Sequence, residues 1–130
     1  MSRKSTKIQS EPISTIGIEI AVSKYFNFRS NLIVPNISWG FNIHECDLFV
    51  VRKSGMAIEI EIKIIKSDFL KDLQKWHQHK DNRIREFYYA MPESLYEKIK
   101  DLITEHAGII ICKKINNNVK CWIEKKAKIN

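Results

Sequence analysis

The sequence predicts a single α/β domain in which a mixed β-sheet is flanked by helices, and three observations lead there. The chain has 130 residues, enough for one core in which roughly two-thirds of the unfolded surface leaves water, with no room for a second catalytic domain. Apolar residues recur at two different periods, about two in the strand-like runs and about 3.6 in the segments between them. The elements follow one another as α β β β α β α β β, without an internal repeat. Helices interleaved with strands in this way bury their apolar stripes against the faces of a sheet.

Residues 1 to 12 are polar and basic and read as a disordered arm. Ser14 or Thr15 caps a first helix that runs to about Phe26, with Ile16, Ile20 and Ala21 turned to the core, Ser23 and Lys24 to water, and Gly17 as a weak point. "NLIVPNIS" is a short strand that Pro35 confines to an edge or a bulge. "ECDLFVVRKSGMAIEIEIKII" is a hairpin turning around Lys53, Ser54 and Gly55, where the glycine supplies a positive φ. Beyond Ile65 the period lengthens. Ser67 or Asp68 caps a helix with Phe69, Leu70, Leu73, Trp76 and His77 on one stripe and Lys71, Lys75 and Gln78 on another. "EFYYAM" is the next strand, and Pro92 suits the first position of a helix reaching about His106. Leu95, Ile99, Leu102 and Ile103 form the apolar side of that helix, and Gly108 is its terminator. "GIIIC" and "VKCWI" are two further strands around the asparagine turn at 116 to 118. The folded domain is expected over residues 13 to 124, followed by a basic tail over 125 to 130.

Composition narrows the partners. With 22 Lys+Arg against 15 Asp+Glu the formal net charge is +7, which favours an anionic partner, nucleic acid before a membrane surface. A merely soluble basic domain is the alternative. The three cysteines, Cys46, Cys112 and Cys121, have no C-x-x-C spacing and lie in strand-like runs, so they read as small buried hydrophobes in a reducing compartment. No apolar stretch approaches the length of a membrane span or of a signal-peptide core, and a cytoplasmic protein is expected.

The chemistry begins at Asp47. It directly precedes the apolar run Leu48–Phe49–Val50–Val51, a strand that reads as covered on both faces, where an ionised carboxylate costs several kcal/mol unless a cation is at hand. On the next strand Met56, Ile58, Ile60, Ile62 and Ile64 point one way while Ala57, Glu59, Glu61 and Lys63 point the other. Adjacent strands lie about 4.8 Å apart, so a hairpin can bring Asp47 beside Glu61. Two such carboxylates, with the Ile62 carbonyl, suit Mg²⁺ (or Mn²⁺), which prefers oxygen ligands and keeps several waters. Lys63 would emerge on the same side, able to orient or help deprotonate a water and to stabilise charge developing on a phosphate. The competing reading makes Glu59, Glu61 and Lys63 a solvated strand face, with Asp47 paired to Lys63.

Asp47 on one strand and Glu61-Ile62-Lys63 on the next resemble the PD-(D/E)xK nuclease superfamily. The stretch "EIEIKIIKSDFLKDLQKWHQHKD", then "FYYAMPESL" and "AGIII", is similar to the MmcB-like DNA-repair group within it, over about Glu45 to Ile111. The resemblance implies a restriction-endonuclease-like αβββαβ core and metal-dependent cleavage of DNA, in which Asp47 and Glu61 are metal ligands and Lys63 is the catalytic lysine. It implies Glu19 on the first helix as an auxiliary acid. Lys75 and His79 stand where related sequences carry a lysine and a tyrosine, and Cys46 replaces the proline of the superfamily name.

The expected function is therefore a Mg²⁺-dependent DNA endonuclease or repair nuclease, with Lys71, Lys75, Gln78 and His79 toward the nucleic acid. A homodimer is the assembly such a small enzyme would need to cut both strands. The alternative is a non-catalytic DNA-binding module on the same fold. A zinc site at His77 and His79 is disfavoured, because residues two apart on a helix point to different sides. Trp76 reads as core rather than as a base-stacking platform, and His44 as a strand-end residue. No phosphate-binding glycine loop, Ser-His-Asp set or dinucleotide fingerprint is present.

Overall fold

The computed structural model describes residues 12–27, 31–37, 46–73 and 84–129. Within them the elements run α1 (Thr15–Tyr25), β1 (Leu32–Ile37), β2 (Cys46–Val51), β3 (Ala57–Ile62), α2 (Lys66–Leu73), β4 (Ile84–Pro92), α3 (Glu93–Ile99) with a 3-10 turn at Lys100–Leu102, β5 (Gly108–Ile115) and β6 (Asn118–Lys125). The six strands form one mixed sheet in sequence order. β1, β2 and β3 are antiparallel, β3, β4 and β5 are parallel, and β6 returns antiparallel to β5. The two parallel steps are the places where α2 and α3 intervene, since a parallel neighbour needs a crossover.

Period-two alternation sorts the side chains of the central strands into two cores. On one face Ile18 and Val22 of α1 pack with Ile58, Ile60, Ile62, Tyr88, Ala90, Ile110 and Cys112. On the other, Phe69 of α2 and Leu95 and Ile99 of α3 pack with Phe87, Tyr89, Met91, Ile109 and Ile111. Burying each large apolar side chain contributes about 1.5–3 kcal/mol. Ser14 caps α1, its hydroxyl accepting from the Gly17 N–H at 3.0 Å. Gly55 adopts φ 88° in the β2–β3 turn, whose N–H donates to the Arg52 carbonyl at 2.8 Å.

Several expectations shift. The inward stripe of α1 is Ile18, Ala21 and Val22, while Ile16 and Ile20 face outward. This helix is apolar on nearly every side, so periodicity alone does not choose its buried face. On α2, Leu70 is exposed and Asp72 is buried in its place. α3 ends at Ile99 instead of near His106, and Leu102 is exposed. Gly108 opens β5 rather than closing a helix: a Cβ there would meet the Tyr88 ring at 2.4 Å and the Ala127 nitrogen at 2.5 Å. The basic tail is docked. Lys125 pairs with Ile109, Ala127 is buried, and the Lys128 N–H donates to the His106 carbonyl. Among the described residues no helix is long and apolar enough to cross a membrane.

Candidate active site

The β2–β3 register sets Leu48 opposite Ile60 and Phe49 opposite Glu59, so the next step along the ladder carries Asp47 to the level of Glu61. On the other side of β3, Glu61 is the parallel partner of Tyr89. Three neighbouring strands therefore deliver Asp47, Glu61 and Tyr89 at one height, and α2 lays Asp72 among them. Burial rules out a solvated face: Glu59 is 0% exposed and Glu61 7%. The acids of β3 point into the same core as Phe87 and Tyr89, away from the isoleucines.

Each side chain has a defined partner. Asp47 Oδ2 accepts the Ile62 N–H at 2.7 Å, an extension of the ladder by a side chain that pins the carboxylate to the end of β3. Ile62 thus contributes its N–H to the arrangement. Lys63 leaves the strand end with its own N–H donating to the Ala90 carbonyl at 2.9 Å. Its Nζ lies 3.7 Å from Glu61 Oε1 and 3.6 Å from Asp72 Oδ1. Those are ion-pair distances, too long for good hydrogen bonds, so the ammonium is held between two acids without being locked to either. Asp72 Oδ2 in turn accepts the Tyr89 hydroxyl at 2.8 Å. Edge-on contacts with Phe69 and Phe87, at centroid separations of 5.0 and 4.9 Å, hold the Tyr89 ring.

The electrostatics follow from burial and crowding. Glu61 is pushed up to about 8, first by desolvation and then by the charges of Asp47 and Glu59, with Lys63 opposing them. Asp47 is also raised by burial, though the Ile62 N–H and Lys63 pull it back. Tyr89 is raised by burial and by the adjacent Asp72. Four carboxyl groups, Asp47, Glu59, Glu61 and Asp72, crowd this cluster, and the ammonium of Lys63 lies near two of them, Glu61 and Asp72. Carboxyl groups crowded into a poorly solvated place attract a cation.

Among the described residues no set of three or more His, Cys, Asp or Glu side chains is arranged to enclose a metal ion. Mg²⁺ asks for less, one or two carboxylates with waters completing its shell. Asp47 and Glu61 are the residues that could hold it, and among the described residues Glu61 Oε2 is buried with no hydrogen-bond partner. The donor set is all oxygen, which suits a hard cation and not zinc.

The structure brings Asp47, Glu61 and Lys63 together, with Ile62 between them. Glu19 lies on α1, which packs through Ile18 and Val22 on the opposite face of the sheet. The charges that act most strongly on Glu61 are Asp47, Glu59, Lys63 and Asp72, and Glu19 is not one of them. Lys71 is exposed in the last turn of α2. His44, Lys75, Trp76, His77, Gln78 and His79 lie outside the described residues. Two members were not anticipated, Asp72 and Tyr89. The sequence held one signal for Asp72, a carboxylate three residues after Phe69 on the inward side of a short helix.

The chain matches no family model and no curated protein. A protein of unknown function from Silicibacter pomeroyi is structurally similar, with a TM-score of 0.72 at 16% sequence identity, covering 92% of this chain and 74% of that one. The likeness is one of fold alone.

Proposed function

We propose that this protein is a Mg²⁺- or Mn²⁺-dependent deoxyribonuclease of the cytoplasm, built on a restriction-endonuclease-like version of the mixed sheet. One observation carries the reading. Asp47, Glu61 and Lys63 converge from two adjacent strands into a cluster rich in carboxyl groups, where among the described residues Glu61 Oε2 has no hydrogen-bond partner.

Asp47 and Glu61 would hold the metal, which when bound neutralises phosphate charge and favours ionisation of a coordinated water. Asp47 is presented rigidly by the Ile62 N–H. Lys63, suspended between Glu61 and Asp72, is free to turn toward a phosphate oxygen or a water by giving up one weak ion pair. Asp72 positions that ammonium, and the Tyr89 hydroxyl keeps Asp72 from rotating away. Lys71, Lys75, Gln78 and His79 are proposed to meet the DNA backbone, and two copies to act together on a duplex. The test is cleavage of single-stranded, duplex and branched DNA with Mg²⁺ or Mn²⁺. Cleavage is expected from the native chain and absent in folded Asp47→Ala and Lys63→Ala variants. Undiminished cutting by Lys63→Ala would refute the assignment.

A second reading, a DNA-binding module without catalysis, draws support from Lys63 itself. An ammonium placed between Glu61 and Asp72 lets the ionic cluster balance part of its charge internally. On this reading DNA binds in a salt-dependent way and is never cut. Thermal unfolding with and without Mg²⁺ separates the two, since a competent site is stabilised by the ion it binds and Asp47→Asn removes that gain.

A further inference from the structure

Away from the acidic cluster, on the α1 face of the sheet, β5 and β6 carry the two cysteines Cys112 and Cys121 as direct cross-strand partners. The turn that joins the two strands fixes their geometry. Asn116 and Asn117 both have positive φ, 51° and 66°, and join Ile115 to Asn118 as a two-residue hairpin loop of the I′ kind. In such a loop the flanking pair, Ile115 with Asn118, is hydrogen-bonded, and pairs alternate along an antiparallel ladder. Lys114 with Val119 is then a non-hydrogen-bonded pair, Lys113 with Lys120 a hydrogen-bonded one, and Cys112 with Cys121 again non-hydrogen-bonded. The register irregularity lies beyond them, between Ile109 and Ile110. Cα atoms of a non-hydrogen-bonded pair sit about 4.5 Å apart with their side chains leaning together. Disulfides span Cα separations of about 4.4–6.8 Å.

We propose that Cys112 and Cys121 are a reversible disulfide site that closes across β5 and β6 under oxidising conditions. The two thiols are free and hydrogen-bond to each other. Cys121 also lies 3.6 Å from the Ala21 carbonyl of α1, to which its S–H donates. Access is asymmetric: Cys112 is fully buried and Cys121 is partly exposed. Attack therefore starts at Cys121, whose acidity is raised by the proton that Cys112 directs at its sulfur.

With a small-molecule disulfide such as oxidised glutathione as the oxidant, the Cys121 thiolate forms a mixed disulfide and expels one glutathione thiolate. Cys112 then attacks the Cys121 sulfur, the mixed bond breaks, and the second glutathione leaves. The two protein thiols are oxidised, one disulfide is reduced, and the two protons go to the departing thiolates. Closing the bond removes the proton that Cys121 offers to α1, so the bridge changes the seam between β6 and that helix. The inference is independent of any nuclease activity.

The experiment uses the folded Cys46→Ser variant, in which Cys112 and Cys121 are the remaining cysteines, equilibrated in graded mixtures of reduced and oxidised glutathione and then alkylated. The expected product has an intact mass lighter by two hydrogens, takes up no alkylating agent, yields a linked pair of peptides containing Cys112 and Cys121, and reverts with dithiothreitol. Two thiols that stay open to alkylation across the whole range, or a glutathione adduct that accumulates on Cys121 without closing, would overturn it. Peptide mapping of the oxidised native chain is the second arm, and there a bridge made to Cys46 counts against the proposal.

Discussion

The two faces of β3 are equally dry and chemically opposite. Ile58, Ile60 and Ile62 line the α1 side, whereas Glu59 and Glu61 line the side covered by α2 and α3 at nearly the same burial. An isoleucine at either acidic position would release free energy on burial, while a carboxyl there must be protonated, paired or bound to a cation. The α1 face therefore supplies stability, and the α2 face gives some of it up to keep an electrostatically loaded cluster. A fold that needed only a core would have no reason to build the second face this way.

The largest effect is expected from shortening the apolar side. Ile60→Ala should lower unfolding free energy by about 2–5 kcal/mol in denaturant titrations, with little change in slope. The adjacent residue should respond with the opposite sign. Glu61 is raised from 4.5 to about 8 in the folded chain, so between those values the native state binds more protons than the unfolded one. Stability from this group is fully present below pH 4.5 and is lost as pH rises through about 8, at up to about 1.4 kcal/mol per pH unit. Glu61→Gln should flatten that slope and leave the protein more stable than the native chain at pH 8, as read from unfolding midpoints across the range. A bound dication favours the ionised carboxylate, so if Glu61 holds Mg²⁺ as proposed, the ion should flatten the native slope as well.

A smaller effect is expected at Tyr89. Tyr89→Phe keeps the ring contacts with Phe69 and Phe87 but takes the hydroxyl from Asp72, costing about 1–3 kcal/mol of stability. On the proposed nuclease function it should lower turnover more than DNA affinity in a cleavage assay, because it acts through Asp72 on Lys63. The least is expected of exposed Lys71. On the proposed function, Lys71→Ala should weaken DNA binding modestly and reduce its salt dependence by about one phosphate contact, without altering unfolding.

Much of the site was legible because strands have a strict period of two. Once 56–64 alternates apolar and charged residues, Glu59, Glu61 and Lys63 must share a face, and Asp47 at the head of an apolar run must seek company. Tyr89 was not legible, and Asp72 only through its spacing from Phe69. A single carboxylate on a short helix ordinarily faces water. The pair Tyr88 and Tyr89 announces only that its members point to opposite faces, without saying which of them meets α2. The face of α1 was equally ambiguous, since Ile16, Ile18, Ile20 and Val22 offer apolar candidates around most of the helix.

What the sequence determined by itself was local and periodic: the order of helices and strands, the hairpin at Gly55, the shared face of the β3 acids and the basic charge. Only the tertiary structure decided what each face would meet, that α1 covers the isoleucines, that α2 lowers Asp72 onto Lys63, and that Cys112 comes to rest beside Cys121. Period and propensity act over a few residues along the chain, whereas these meetings depend on register and crossover between segments far apart in sequence, which are set when the whole core packs.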